Sequence, residues 1–208
     1  KEKFSYDTNF DKELGIESNL YTASEYLNRG IDKSNSDDQE GAIEDFSKSI
    51  ELDPGNSLTY ANRALAKSDL GDHEGSIKDF TKAIKIDPKD STLFYFRAIT
   101  KNDLKDYQGA IDDYSKAIEL NPLYVSAYVF RGCVKDDLGN HQGAINDYDK
   151  SIEIDPNNAS SYYFRAINKN NSGDQEGAIE DYLKAIELAP DISDSYFNLG
   201  NIYSNLND

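Results

Sequence analysis

The sequence predicts an all-α protein, an α-solenoid of antiparallel helix pairs, and three observations predict it. The five prolines, Pro54, Pro88, Pro122, Pro156 and Pro190, are all the prolines in the 208-residue chain, and each stands 34 residues from the next. Between them the same text returns, with apolar residues recurring at three and four positions, as on one face of a helix. Turn signals divide the intervals at Gly71-Asp72, Gly139-Asn140 and Gly173-Asp174, where glycine readily supplies a left-handed helix end.

In chain order, residues 1–22 have no clean match to the repeat. Leu14, Ile16 and Leu20 either pack on the first unit or belong to a disordered segment. Five full units follow: Ala23 to Asn56, Ser57 to Asp90, Ser91 to Tyr124, Val125 to Asn158 and Ala159 to Ile192. A half unit, Ser193 to Asp208, ends in polar residues that suit a capping helix. The first helix of each unit carries an aromatic near its start (Tyr26, Tyr60, Phe94, Tyr128, Tyr162, Tyr196). Four residues on comes a small residue (Gly30, Ala64, Ala98, Gly132, Ala166, Gly200) that lets backbones approach closely. The second helix is clearest from Gly109, where Ala110, Ile111, Tyr114, Ala117 and Ile118 share a face, and its text returns at Gly41, Gly75, Gly143 and Gly177. The prolines then stop each second helix.

Composition bounds the function. With 38% hydrophobic residues, 15 Tyr and 9 Phe, the chain has apolar material for a continuous core and is not a disordered tail. A formal charge of −17 repels phosphate backbones and acidic membrane surfaces, so nucleic acid is excluded as a partner class, and it favours solubility, a basic partner or both. No apolar run approaches a membrane span, so no direct membrane insertion is expected. The single cysteine, Cys133, rules out an internal disulfide framework and fits a reducing, cytoplasmic compartment. The chain begins at Lys1, which leaves room for a leader, anchor or further domain.

A 34-residue period with this succession of aromatic, small residue, Ala, aromatic, Ala and Pro resembles the tetratricopeptide repeat. In the third unit the signature falls on Phe94, Ala98, Ala110, Tyr114, Ala117 and Pro122, and the likeness runs from Ala23 to Gly200. The resemblance implies a right-handed superhelix whose concave face, lined by first helices, binds peptides or proteins. Physical reasoning reaches the stacking independently, because one helix pair cannot bury its apolar faces alone.

Departures from that family pattern are systematic. The seventh residue of each full unit, often Leu in the family, is Arg29, Arg63, Arg97, Arg131 or Arg165. Four residues later, where Tyr is usual, stand Lys33, Lys67, Lys101, Lys135 and Lys169. Each second helix carries an acid just before its aromatic: Asp45, Asp79, Asp113, Asp147 and Asp181. Buried charge is tolerated when paired and hydrogen-bonded, so five matching sets predict structural Arg-Asp ion pairs rather than a ligand site.

If the fourth, seventh, eighth and eleventh residues of a first helix are buried, the second, fifth, ninth and twelfth point the other way, into the groove. This assigns Leu58, Ala61 and Leu65; Thr92, Tyr95 and Ile99; Ser126, Val129 and Cys133; Ser160, Tyr163 and Ile167; and Phe197 and Asn201. The sixth residues, Asn28, Asn62, Phe96, Phe130, Phe164 and Asn198, lie at its edge, so an aromatic cluster spans the third to fifth units. The alternative is that Phe96, Phe130 and Phe164 fill gaps between repeats, leaving Tyr95, Tyr163 and Phe197 exposed. First-helix ends add an acidic rim of Asp69, Asp103, Asp136 and Asp137, with Asn102, Asn170 and Asn171. An apolar centre with a polar border suits a protein interface.

The family's clamp for a chaperone's C-terminal carboxylate is not matched. Its places hold Leu27, Ile31, Asn62, Thr92 and Phe96, and only the Asn agrees. Catalysis has little to work with: His73 and His141 sit in alternate repeats, too far apart to share a metal, and Cys133 has no histidine in register. Acid pairs such as Asp112-Asp113 read as a solvated face beside a strut, and no phosphate loop occurs. The expectation is a non-catalytic protein–protein interaction scaffold with no cofactor and no metal. Its ligand would be a peptide or protein segment with apolar anchors and Lys or Arg flanks, bound extended or as an amphipathic helix. The alternatives are a structural module that self-associates into a homo-oligomer and, third, the recruiting arm of an enzyme whose catalytic domain lies elsewhere.

Overall fold

The structure, a computed structural model, describes residues 21–191 and 193–206. The expectations for Leu14, Ile16 and Leu20, and the unit boundary at Ile192, lie outside the described residues. Eleven α-helices occur among the described residues. The first helices are α1 (Ala23–Asn35), α3 (Ser57–Asp69), α5 (Ser91–Asp103), α7 (Val125–Asp137), α9 (Ala159–Asn171) and α11 (Ser193–Leu206). The second helices are α2 (Gln39–Leu52), α4 (His73–Ile86), α6 (Tyr107–Leu120), α8 (His141–Ile154) and α10 (Gln175–Leu188). No helix among them is long and apolar enough to cross a membrane.

Local chemistry sets the ends. Asp38, Asp72, Asp106, Asn140 and Asp174 cap the second helices, each side chain accepting from the N–H of the glycine three residues on. With glycine there the capping side chain lies tight against the backbone, and a Cβ at Gly41, Gly75, Gly109, Gly143 or Gly177 would push it aside. Each second helix stops two residues before its proline, whose ring would clash with the preceding turn. The turn between helices needs one left-handed residue. Gly71, Gly139 and Gly173 supply it, and in the other two units Asp37 (φ 66) and Lys105 (φ 61) adopt it without being glycine.

Packing follows the chain: every helix lies against its successor. The second-helix aromatics Phe46, Phe80, Tyr114, Tyr148 and Tyr182 are at most 1% exposed and form the spine of the core. Each contributes about 1.5–3 kcal/mol by burial, so these rings outweigh any surface pair. First helices are covered on a further side, because their third and tenth residues face the preceding second helix: Thr59, Thr100, Val134, Ser161 and Asn168 are all buried. Neighbouring first helices α1 and α3, α3 and α5, and α7 and α9 touch one another, while no two second helices approach as closely. First helices therefore line the inner, concave side of the curve.

Candidate functional site

The charged residues of this inner scaffold form a ladder. In the third unit Arg97 Nε and Nη2 donate to Asp113 at 2.8 and 2.7 Å, and Lys101 Nζ stands 2.7 Å from the same carboxylate. The same fork joins Arg29 to Asp45, Arg63 to Asp79, Arg131 to Asp147 and Arg165 to Asp181. Lys33, Lys67, Lys135 and Lys169 complete the sets. Burial alone would raise the Asp45 carboxyl, but Arg29 and Lys33 hold it below the usual carboxylate range.

Four of the arginines also reach back one unit. Arg63, Arg97 and Arg131 donate through Nη1 to Ser47, Thr81 and Ser115 of the preceding second helix at 2.9–3.0 Å, and Arg165 donates to Asp149 at 2.6 Å. Each guanidinium lies over the aromatic one turn earlier, as Arg97 does over Phe94 at 5.7 Å. These five are all the arginines in the chain, so the surface outside the ladder is more acidic than the net charge of −17 implies.

The groove differs from the helical-wheel expectation at the fifth position. Tyr95 is 9% exposed and Val129 6%, which places both in the core, with Ala61. The cause for Tyr95 is the junction with the fourth unit: its ring meets Tyr124, the last residue of its own unit, at 4.8 Å and Phe130 of the next at 5.9 Å. Phe197 occupies the same position in α11, with no described helix beyond it, and is 69% exposed. Leu65, Ile99, Cys133, Tyr163 and Ile167 are half-buried, each resting on the core of its own region.

Sixth-position rings stack across the junctions, Phe96 on Phe80, Phe130 on Tyr114 and Phe164 on Tyr148, with centroids 6.0–6.4 Å apart. Phe96 and Phe164 are half-buried by this stacking, whereas Phe130 keeps 44% of its surface exposed. Tyr124 ends the third unit as the α7 N-cap without a side-chain cap hydrogen bond, while Asn56, Asp90 and Asn158 cap the corresponding helices. A lost cap costs about 1 kcal/mol, offset here by the ring contact with Tyr95. Leu123, just before it, is exposed over 71% of its surface. Sequence reasoning passed over Leu123 and Tyr124; the signal was an apolar pair where other units have Gly55-Asn56, Lys89-Asp90 and Asn157-Asn158.

Of the rim, Asp69, Asp103 and Asp137 are exposed and Asp136 is partly covered by a 2.6 Å contact with His141. The groove chemistry is neutral. Burial pushes the Cys133 thiol up to about 11, with Asp137 and Asp136 adding to the effect, so the sulfur stays protonated near neutrality. Burial likewise pushes Tyr124 up to about 12. Among the described residues no cluster of His, Cys, Asp and Glu is placed to hold a metal ion. Two clefts, of about 200 Å³ beside Tyr182 and Asn198 and about 160 Å³ beside Phe80 and Phe96, fall below the ~300 Å³ at which small-molecule pockets begin.

Two family models match the sequence: "TPR repeat" over residues 137–167 and 170–207, and "Tetratricopeptide repeat" over residues 58–90 and 91–122. No curated protein matches the chain in sequence. Among solved structures, a crystal structure of MamA is 29% identical, with a TM-score of 0.72 over 76% of this chain and 93% of that one. YrrB, described as a TPR protein with an unusual peptide-binding site, is 23% identical, with a TM-score of 0.71 over 89% and 96% of the two chains. A tetratricopeptide repeat protein from Parabacteroides merdae is 20% identical, with a TM-score of 0.78 over 89% and 73%. These last two likenesses bear on the fold alone.

Proposed function

Because the chain belongs to the tetratricopeptide repeat family, we propose that it is a non-catalytic protein-interaction scaffold whose concave side holds a peptide or protein segment with apolar anchors and basic flanks. The observation that carries this reading is Phe130. Its ring is stacked on Tyr114 and meets Tyr95 edge to face, it keeps 44% of its surface exposed, and it lies in the middle of the array. A rigid, half-exposed aromatic on a packed base is the kind of side chain that dominates binding energy. On this reading the half-buried Leu65, Phe96, Ile99, Phe164 and Ile167 serve as further apolar contacts, with the exposed Leu123 beside the third-to-fourth unit junction.

Basic flanks follow from charge. Asp69, Asp103 and Asp137 stand exposed at the ends of first helices, where they favour a cationic flank. No arginine is left over to neutralise them, since all five serve the ladder. End-to-end self-association is the weaker reading. In the inner units the third and tenth residues of a first helix are buried, but in α1 they are Glu25 and Asp32, both exposed and charged.

The test is selection of displayed random peptides on the purified chain, followed by titration of the winners. Enrichment in aromatic or aliphatic residues flanked by Lys or Arg is expected. Phe130→Ala should weaken binding at least tenfold with an unchanged circular dichroism spectrum. Acidic winners, or peptides indifferent to Phe130→Ala, would refute the groove assignment.

A further inference from the structure

The sixth residue of a first helix decides whether the inner corner between consecutive units is filled. At three junctions it is phenylalanine, stacked on the core aromatic of the unit before: Phe96 on Phe80, Phe130 on Tyr114 and Phe164 on Tyr148. Between the fifth unit and α11 it is Asn198, and a cleft of about 200 Å³ opens beside Tyr182, where the ring would lie. The opening comes from that residue and not from what lies beyond α11. Phe130 keeps 44% of its surface exposed although α8 to α11 follow it, so a sixth-position side chain faces the inner side within the array as well.

The cleft has a deep apolar floor and a neutral polar wall. Tyr182 and Ile202, 1% and 3% exposed, form the floor with the half-buried Ile167. Asn170, Asn171, Asn198 and Asn201 form the wall. Asn170-Asn171 is uncharged where the two preceding units carry Asn102-Asp103 and Asp136-Asp137. Asn198 stands beside the hydroxyls of Tyr163 and Tyr182, and among the described residues the other three side-chain amides make no hydrogen bond. Asn62 holds the sixth position at the first junction, but its amide donates to the Leu58 carbonyl at 2.9 Å, and Ser34, in the place of Asn170, is bonded to Gln39.

We propose that this cleft is a subsite for the carboxamide side chain of a glutamine in the segment that the groove holds. The inference rests on the reading of the concave side as a peptide groove and adds one residue to its specificity. Main chain passes over the inner surface, whereas a floor buried this far is reached by a single side chain. A carboxamide carries one acceptor oxygen and two donor hydrogens, as does each wall residue, so the two pair reciprocally. A carboxylate or an ammonium group would give up hydration in a cleft whose lining holds no counter-charge. The acidic surface of the chain opposes the carboxylate further. An aliphatic side chain would leave the wall amides unpaired.

The probes are the N-acetyl N-methylamides of glutamine, glutamate, lysine and alanine, titrated at millimolar concentration into the isotope-labelled full chain and followed by the side-chain amide resonances of its asparagines. The glutamine probe should shift Asn170, Asn171, Asn198 and Asn201 and bind at least tenfold more tightly than the other three, as a site built for hydrogen bonding discriminates. Asn198→Phe, the residue of the three filled corners, should abolish these shifts with an unchanged circular dichroism spectrum. Asn170→Asp together with Asn171→Asp, copying Asp136-Asp137, should transfer the preference to the lysine probe. Phe130→Ala should leave the glutamine probe unaffected, which separates failure of the subsite from failure of the groove. Equal shifts from the alanine probe would give the cleft to main chain and overturn the proposal. So would a preference for glutamate or lysine in the parent chain, silence of these asparagines, or shifts that survive Asn198→Phe.

Discussion

Asp113→Ala removes the acceptor at the centre of the third rung. Three donors converge on that carboxylate at 2.7–2.8 Å, and the side chains involved are 15% exposed for Arg97, 18% for Lys101 and 7% for Asp113. Two cations would then remain in a partly desolvated site with no counter-charge, for which a loss of about 3–5 kcal/mol is expected. Arg97→Leu is asymmetric with it. Lys101 still neutralises Asp113, and the lost contacts are the fork, the Thr81 bond and the stack on Phe94, worth about 1–3 kcal/mol together. The informative variant combines Arg97→Leu, Lys101→Tyr and Asp113→Leu, copying Leu199 and Tyr203 of α11 and removing every charge at once. It should lie within about 2 kcal/mol of the parent, because a well-packed apolar replacement of a buried ion set is commonly neutral or better. Urea unfolding followed by circular dichroism, with hydrogen exchange on the α5 and α6 amides, reads all three. An Asp113→Ala variant within 1 kcal/mol of the parent, or an Arg97→Leu variant more stable than it, would refute the assignment of the ladder to the scaffold.

The remaining expectations concern single sites. Ser195 is fully buried and its hydroxyl has no partner, since Ala185 lies where Ser151 meets Ser161 in the unit before. Ser195→Ala should stabilise the chain by about 1 kcal/mol in thermal melts, and a loss of that size would contradict the unpaired hydroxyl. Gly132→Ala should cost about 1–3 kcal/mol by driving a methyl into Tyr148, whereas Gly200→Ala should gain about 0.5–1 kcal/mol from helix propensity alone. Opposite signs in chemical denaturation check the pair. A thiol at about 11 is about one part in a thousand thiolate at pH 8, so Cys133 should react with iodoacetamide about 100-fold more slowly than glutathione. The rate should rise about tenfold per pH unit towards pH 10, and a glutathione-like rate at pH 8 would contradict the burial.

The repeat was legible because its punctuation is covalent and local. A proline two residues past each second helix and an Asp or Asn cap at its start act on the backbone whatever surrounds them. The Arg-Asp spacing was legible because sixteen residues separate the partners in every unit. What escaped was the burial of Tyr95 and Val129, because a helical wheel assumes one covered face and one free face. A first helix here is covered by its own partner helix, by the preceding unit and by the next one. The backward bonds of the arginines escaped for the same reason, since Ser47, Thr81 and Ser115 look like exposed second-helix residues until the next unit is placed. Leu123 escaped because an apolar residue in a loop carries no periodic signal.

The backward reach of the four later arginines also governs how such an array can grow or shrink. Excising Ser91 to Tyr124 as one block would bring Arg131 onto Thr81 instead of Ser115, a hydroxyl for a hydroxyl, and every rung would still find its complement. A change in the number of whole units therefore alters the length of the array, and with it the span of its inner surface, while keeping the kind of contact at each rung. The α10–α11 joint is the exception. Leu183 and Leu199 stand where the interior junctions carry a hydroxyl or carboxylate and an arginine, so a unit exchanged across this joint would set an arginine against a leucine.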